Sequence, residues 1–174
     1  SRLSLQENID RTARIAELAH DADISCEGEI GFVGYSDGEQ SNGTNPSEAN
    51  MFAKDTKVDA MAISVGNIHL QKHREGNLDL ERIRQIEQVT SIPLVIHGGS
   101  GVPVKQRSFL SRNSKICKFN IGTELRMTFG DTLRKSIVSH PDQFDRVEIL
   151  KKTHEPLVQA TRKVLNAFKP ESKK

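Results

Sequence analysis

Long apolar runs are missing from this sequence. Its hydrophobic residues, 35% of 174, nowhere form a stretch of membrane-spanning length. No signal-peptide pattern stands out either, so a soluble protein is expected. An excess of one charge is missing too. The 25 Lys and Arg nearly cancel the 23 Asp and Glu, and the +2 that remains is spread through interleaved charges, which argues against nucleic-acid binding. Cysteine is scarce: Cys26 and Cys117 both fall in expected buried strands, where a thiol serves as a small hydrophobe. A reduced, cytoplasmic setting follows as the expectation. There is no internal repeat and no low-complexity tract.

What the sequence has is alternation. Strand-like runs at roughly Ile24–Ile30, Val58–Val65, Leu94–Ile96 and Ile116–Asn120 are separated by helix-like segments, the pattern of an α/β protein with parallel strands. A closed (β/α)8 TIM barrel needs eight strands and about 250 residues. Four strands, entered directly from a helix, therefore predict that this chain supplies about the second half of such a barrel, strands 5 to 8 with their flanking helices. Residues 1–168 would form that carboxyl-terminal part of a single barrel and residues 169–174 a flexible tail.

Helices are expected at Leu5–His20, from Pro46 to about Lys54 behind an Asn45 cap, at Leu78–Val89, from beyond Pro103 to about Ser111, at Glu124–Ser139, and at Val147–Phe168, where Pro156 marks a bend. Between the first strand and Pro46 lies a long glycine-rich stretch, Gly31 to Thr44. A loop of that length in a compact domain commonly covers a site.

Two histidines stand just past strand runs, His69 after Val65-Gly66-Asn67-Ile68 and His97 directly before Gly98-Gly99-Ser100-Gly101. Histidines after adjacent parallel strands converge on one mouth of a barrel, where imidazole serves as a structural group or as a metal ligand. Glu27 and Glu29, two apart, share one face of their strand. Carboxylates inside a barrel need a partner, which leaves two readings. One is a salt bridge to a Lys or Arg; the other puts Glu29 near a metal with Glu27 orienting it. The turns Gly98–Gly101 and Asn120-Ile121-Gly122-Thr123 follow the last two strands. Either they are simply tight turns, or their backbone N–H groups and the hydroxyls of Ser100 and Thr123 cradle a phosphate.

The strings Glu27-Gly28-Glu29-Ile30-Gly31, Val65-Gly66-Asn67-Ile68-His69, His97-Gly98-Gly99-Ser100-Gly101 and Lys118-Phe119-Asn120-Ile121-Gly122-Thr123-Glu124 occur in that order. Together they resemble the class II, metal-dependent fructose- and tagatose-bisphosphate aldolases, from Leu3 to about Leu165. The resemblance implies a homo-oligomeric barrel, dimer or tetramer, that cleaves a phosphorylated ketose into dihydroxyacetone phosphate and glyceraldehyde 3-phosphate. His69 and His97 then resemble two of three ligands of a catalytic Zn2+ or another divalent metal, and Glu29 the carboxylate that binds zinc in an alternative position. Gly98, Ser100, Gly122 and Thr123 match the phosphate cradle, beside which some members hold a monovalent cation, Na+ or K+. Asn120 matches the side chain that contacts the ketose, and Asp37 the loop acid that moves the substrate proton, with Glu39 as the other candidate.

The chain departs from the family pattern in named places. The Asp-His pair that carries the third zinc ligand and a catalytic aspartate does not occur here. Leu70 follows His69 where Gly is common, and Asp37 stands where Glu is more usual. The region that in the family often supplies a basic residue to a neighbouring subunit's phosphate offers Arg146, Lys151 or Lys152 here, without a clear match. These 174 residues alone are accordingly expected to be inactive. Lys118, the lysine in a strand end that could suggest Schiff-base chemistry, is expected to face the outer helices. The alternatives are a non-catalytic sugar-phosphate-binding homologue and a class II aldolase acting on another phosphorylated sugar.

Overall fold

In a computed structural model of the protein, residues 3–35, 41–69 and 77–168 are described, less the side chains of Tyr35, Ile68 and His69. Local capping chemistry sets the helix starts. Ser4 and Glu7 form a reciprocal capping box that opens α1, Leu5–Asp21. Asn45 accepts from the Ser47 N–H and Pro46 occupies the first turn of α2, Pro46–Thr56. The third helix begins at Leu80, two residues later than the hydrophobic pattern predicts, because the Asp79 carboxylate caps the Arg82 N–H. Leu78 is instead buried ahead of α3, Leu80–Val89.

Four short strands, β1 (Glu27–Glu29), β3 (Ala60–Ile63), β5 (Leu94–Ile96) and β6 (Ile116–Phe119), form one parallel sheet in that order. They are shorter than the apolar runs around them, and Ile24 lies outside the sheet, 60% exposed. Each pair of neighbours is connected through a helix: α2 after β1, α3 after β3, α4 (Val104–Asn113) after β5. The core lies between sheet and helices, with Phe52, Met61, Ile63, Ile83, Ile86, Leu94 and Ile96 essentially inaccessible. This is the expected α/β architecture with a wholly parallel four-stranded sheet. Helix α5 (Thr123–Ser139) leaves β6, and α6 (Arg146–Asn166) runs through Pro156 and packs on it.

A second sheet was not foreseen. Within the stretch expected to be all loop, Gly34–Tyr35 (β2) pairs in parallel with Ile68–His69 (β4). Two-residue strands carry no periodicity to read, since tertiary placement alone creates them. The cysteines also depart from expectation, Cys26 being half-buried ahead of β1 and Cys117 exposed. The cause at Cys117 is a register shift between Leu94 and Val95. Leu94 pairs with Ile116 but Val95 pairs with Lys118, so Cys117 is the extra residue of the bulged strand.

No helix among the described residues is long and apolar enough to cross a membrane.

Candidate active site

Alternation along β1 decides where its carboxylates point. Gly28 faces the helices, and Phe52 and Thr12 press so close that a Cβ on Gly28 would stand 2.9 Å from the Phe52 ring. Glu27 and Glu29 must therefore face the other way, onto the opposite face of the sheet. Register then sets Glu29, Ala62, Val95 and Lys118 in one row across the four strands. The two middle positions are small and apolar, which leaves room above them.

His97 follows β5 by one residue and fills that room. Its Nδ1 lies 2.7 Å from Glu29 Oε2 and its Nε2 lies 3.1 Å from Glu27 Oε1. The second oxygen of Glu27 accepts from Lys118 Nζ at 2.6 Å. Lys118 thus faces inward, against the sequence expectation, because the register shift at Cys117 reverses the phase of the alternation after Ile116. The bond to Glu29, opposed by burial and reinforced by Glu27, raises the pKa of His97 above its ordinary value. Glu29 is held below the ordinary carboxylate range by its bond from His97, against the opposing effect of burial. For Glu27, burial pushes upward, but the bonds from Lys118 and His97 outweigh it and the pKa falls.

Asn67, only 3% exposed, ties this histidine to the preceding strand. Its Nδ2 donates to the carbonyls of Ile63 and His97, and its Oδ1 accepts from the Val65 N–H. The segment that leads to His69 is therefore fixed to the backbone of His97. The backbone of His69 is paired with Tyr35 in β4, beside the turn Gly99–Gly101, while its side chain is outside the described set. Asp37 and Glu39 also lie outside the described residues.

Gly98 adopts φ +65°, the left-handed region that favours glycine, and lets the chain turn into a single 3-10 turn at Gly99–Gly101. The Gly99 N–H donates to the Asn120 carbonyl, and the Asn120 N–H donates to Ile96, so the two glycine turns are locked side by side. Ser100 Oγ accepts from the Glu124 N–H and thereby caps the start of α5. Behind it Arg107, 1% exposed, forms an ion pair with Glu124 at 3.3 Å. The partial positive charge of the α5 N-terminus, with Thr123 as its first residue, faces the same mouth.

Two residues here were missed by sequence reasoning. Lys118 belongs to the cluster but was assigned to the wrong face, since nothing in the sequence marks a bulge. Arg126 lies three residues beyond the cradle, and its Nη2 reaches within 2.7 Å of where a Cβ on Gly122 would stand. The spacing Gly122 to Arg126, one turn of helix, was the available signal.

A parallel sheet clad in helices, with a histidine, two carboxylates and two glycine turns gathered at the carboxyl ends of its strands, defines a protein of the α/β-barrel class. The family model described as fructose-bisphosphate aldolase class-II matches residues 1–173, and the chain belongs to that family. Its fold is similar to the crystal structure of the YdjI aldolase from Escherichia coli K12. The two are 24% identical with a TM-score of 0.73, the match covering 99% of this chain and 58% of that one. It is also similar to the fructose-bisphosphate aldolase of Campylobacter jejuni, at 20% identity and a TM-score of 0.74, covering 97% of this chain and 57% of that one. The chain thus spans less than three fifths of the length of either structure.

The metal implied by the family can be tested against the donors present. Imidazole nitrogen and carboxylate oxygen are the donor types zinc accepts, and two ligands of a tetrahedral zinc stand about 3.4 Å apart. His97 Nδ1 and Glu29 Oε2, at 2.7 Å, need open by less than an ångström. Among the described residues no group of three or more His, Cys, Asp or Glu side chains is arranged to hold a metal ion. The pair fits zinc as half of a coordination sphere.

Proposed function

We propose that the whole protein is a metal-dependent ketose-bisphosphate aldolase, cleaving fructose 1,6-bisphosphate or tagatose 1,6-bisphosphate to dihydroxyacetone phosphate and glyceraldehyde 3-phosphate. The observation that carries this reading is the convergence of His97, Glu29 and Glu27 beside two interlocked glycine turns, on a chain of the class II aldolase family. Residues 1–168 are the carboxyl-terminal part of its single barrel, and these residues by themselves are inactive. In this reading zinc is the metal, the protein is a homo-oligomer and its setting is reduced and cytoplasmic.

His97 and His69 would hold the zinc, with Glu29 as the alternative carboxylate ligand. Bound zinc would polarise the ketone oxygen as a Lewis acid. The substrate phosphate is held by the N–H groups around Gly98, Ser100, Gly122 and Thr123 and by the α5 N-terminus. Arg126 extends the same positive field over Gly122, and carbonyls around Gly98 and Ser100 accept a monovalent cation. Asn120 orients the ketose through its side chain. Asp37, or Glu39 in its place, moves the proton at the carbon beside the carbonyl as a general acid and base.

Lys118 would be the residue for a Schiff-base route, and its inward position makes that worth testing. Its ammonium is committed to Glu27 at 2.6 Å, which opposes the role of a free amine nucleophile. The deciding experiment is cleavage of both bisphosphates by the whole protein with chelator and with zinc restored. Chelator-sensitive cleavage, regained with zinc, lost in His97→Ala and leaving no borohydride-trapped adduct on Lys118, is the expected result. Absence of cleavage despite bound zinc, or a trapped lysine adduct, would overturn the assignment.

A further inference from the structure

Glu124 is an awkward residue for a phosphate site. It is the second residue of α5, so its carboxylate belongs to the helix turn whose N–H groups would hold the substrate phosphate. A carboxylate in the first turn of a helix answers the same partial positive charge that attracts an anion, and it repels a phosphate directly. We infer that Arg107 is a positioning residue for the phosphate cradle: by holding the Glu124 carboxylate from α4 it offsets that charge and keeps the α5 N-terminus open to a phosphate. This inference rests on the aldolase reading above and deepens it.

Arg107 stands on α4, the helix that follows the Gly98–Gly101 turn, yet its guanidinium is buried against α5 rather than extended into water. A charge so deeply buried needs an anionic partner. Its Nη1 donates to Glu124 Oε2 at 3.3 Å, on a side chain that is itself only 17% exposed. The backbone of the same glutamate is held from the other turn: the Glu124 N–H donates to Ser100 Oγ at 3.2 Å, and Ser100 is buried. Glu124 is thus gripped at both ends, its N–H by the first glycine turn and its carboxylate by the helix that leaves that turn. Gly122, at the cap position of α5, has no side chain with which to fill the end of the helix. With Glu124 drawn onto Arg107, an anion arriving over Gly122 and Thr123 meets N–H groups. Without Arg107 it would meet a carboxylate within one turn of helix, where like charges disfavour a dianion strongly.

The test uses the whole protein with zinc saturating, and the variants Arg107→Met, Arg107→Lys, Glu124→Gln and the double variant Arg107→Met with Glu124→Gln. Inorganic phosphate is the probe, its affinity read from the shift of the Thr123 amide signal, which reports the cradle rather than the metal. Arg107→Met should weaken phosphate binding at least about tenfold, because it leaves an unpaired carboxylate beside the cradle. Arg107→Lys keeps the charge and should stay within about threefold of the wild type. Glu124→Gln removes the repelling charge and should bind phosphate as tightly as the wild type or tighter, and the double variant should regain affinity to within about threefold. A residue that merely holds the fold predicts the reverse, with the double variant losing as much as Arg107→Met and Glu124→Gln weakened too. Either of those results, or an unchanged affinity in Arg107→Met, would overturn the inference. Should Arg107→Met fail to fold, Glu124→Gln and the double variant, which strands no carboxylate, decide it. A wild type that binds phosphate at Thr123 but cleaves neither bisphosphate would overturn the aldolase reading, and the same affinities would still decide the role of Arg107. A wild type whose Thr123 amide ignores phosphate would overturn the inference while zinc-dependent cleavage still decides the aldolase reading.

Discussion

Gly28→Ala is the most economical probe of how β1 carries its two carboxylates. The added methyl would stand 2.9 and 3.0 Å from two atoms of the Phe52 ring and 3.0 Å from the Thr12 methyl. Phe52 is fully buried and cannot retreat, so strand or ring must shift by about half an ångström to restore ordinary contact. Overpacking of this kind costs about 1–3 kcal/mol. Replacing glycine in a strand returns about 0.5–1 kcal/mol of backbone entropy. The net expectation is a loss of about 1–2 kcal/mol, read as a urea midpoint lowered by roughly 0.5–1 M with an unchanged slope. In a Phe52→Leu background, where the ring atoms are gone and the Thr12 contact remains, the same methyl should cost less than in the wild type. An unchanged or raised midpoint in the single variant, or an equal loss in both backgrounds, would refute the reasoning.

Two further outcomes follow from the bonds around the sheet. Asn67→Ala removes three bonds at a buried position, those to the Val65 N–H and to the Ile63 and His97 carbonyls, for a loss of about 2–3 kcal/mol in chemical denaturation. Asp59 sits below its ordinary pKa of 3.8 because its carboxylate accepts from the Cys26 N–H and from His20. A depressed carboxylate contributes above its unfolded pKa, and the contribution is lost as pH falls through the folded value. The denaturation midpoints of wild type and Asp59→Asn should therefore differ at pH 6 and converge below the folded pKa of Asp59. A gap that persists at the lowest pH would contradict the assignment.

Much of this architecture was legible because its causes are local. Asn45-Pro46 and Ser4 with Glu7 act within one helical turn, and the apolar runs at Val58–Val65 and Leu94–Ile96 contain strands that really are buried. The convergence of Glu27, Glu29 and His97 was legible as well, since alternation in β1 and a strand-end position need no knowledge of partners. What escaped the sequence depends on pairing. The slip beside Cys117 turns an outward lysine inward and an expected buried thiol outward, yet it leaves no trace in composition. The pairing of Gly34–Tyr35 with Ile68–His69 is likewise a product of where the larger sheet holds the two segments.

The Gln106 side chain donates to the Leu78 carbonyl and accepts from the Leu78 N–H. A single primary amide on α4 therefore takes the place of a neighbouring strand. In hydrogen exchange the Leu78 amide should behave as a sheet amide although it belongs to no helix or strand, slowing and quickening with α4 rather than with its own neighbours in sequence. The stretch from His69 to Leu78 is thus anchored at both ends, by the pairing of His69 with Tyr35 and by Gln106 at Leu78.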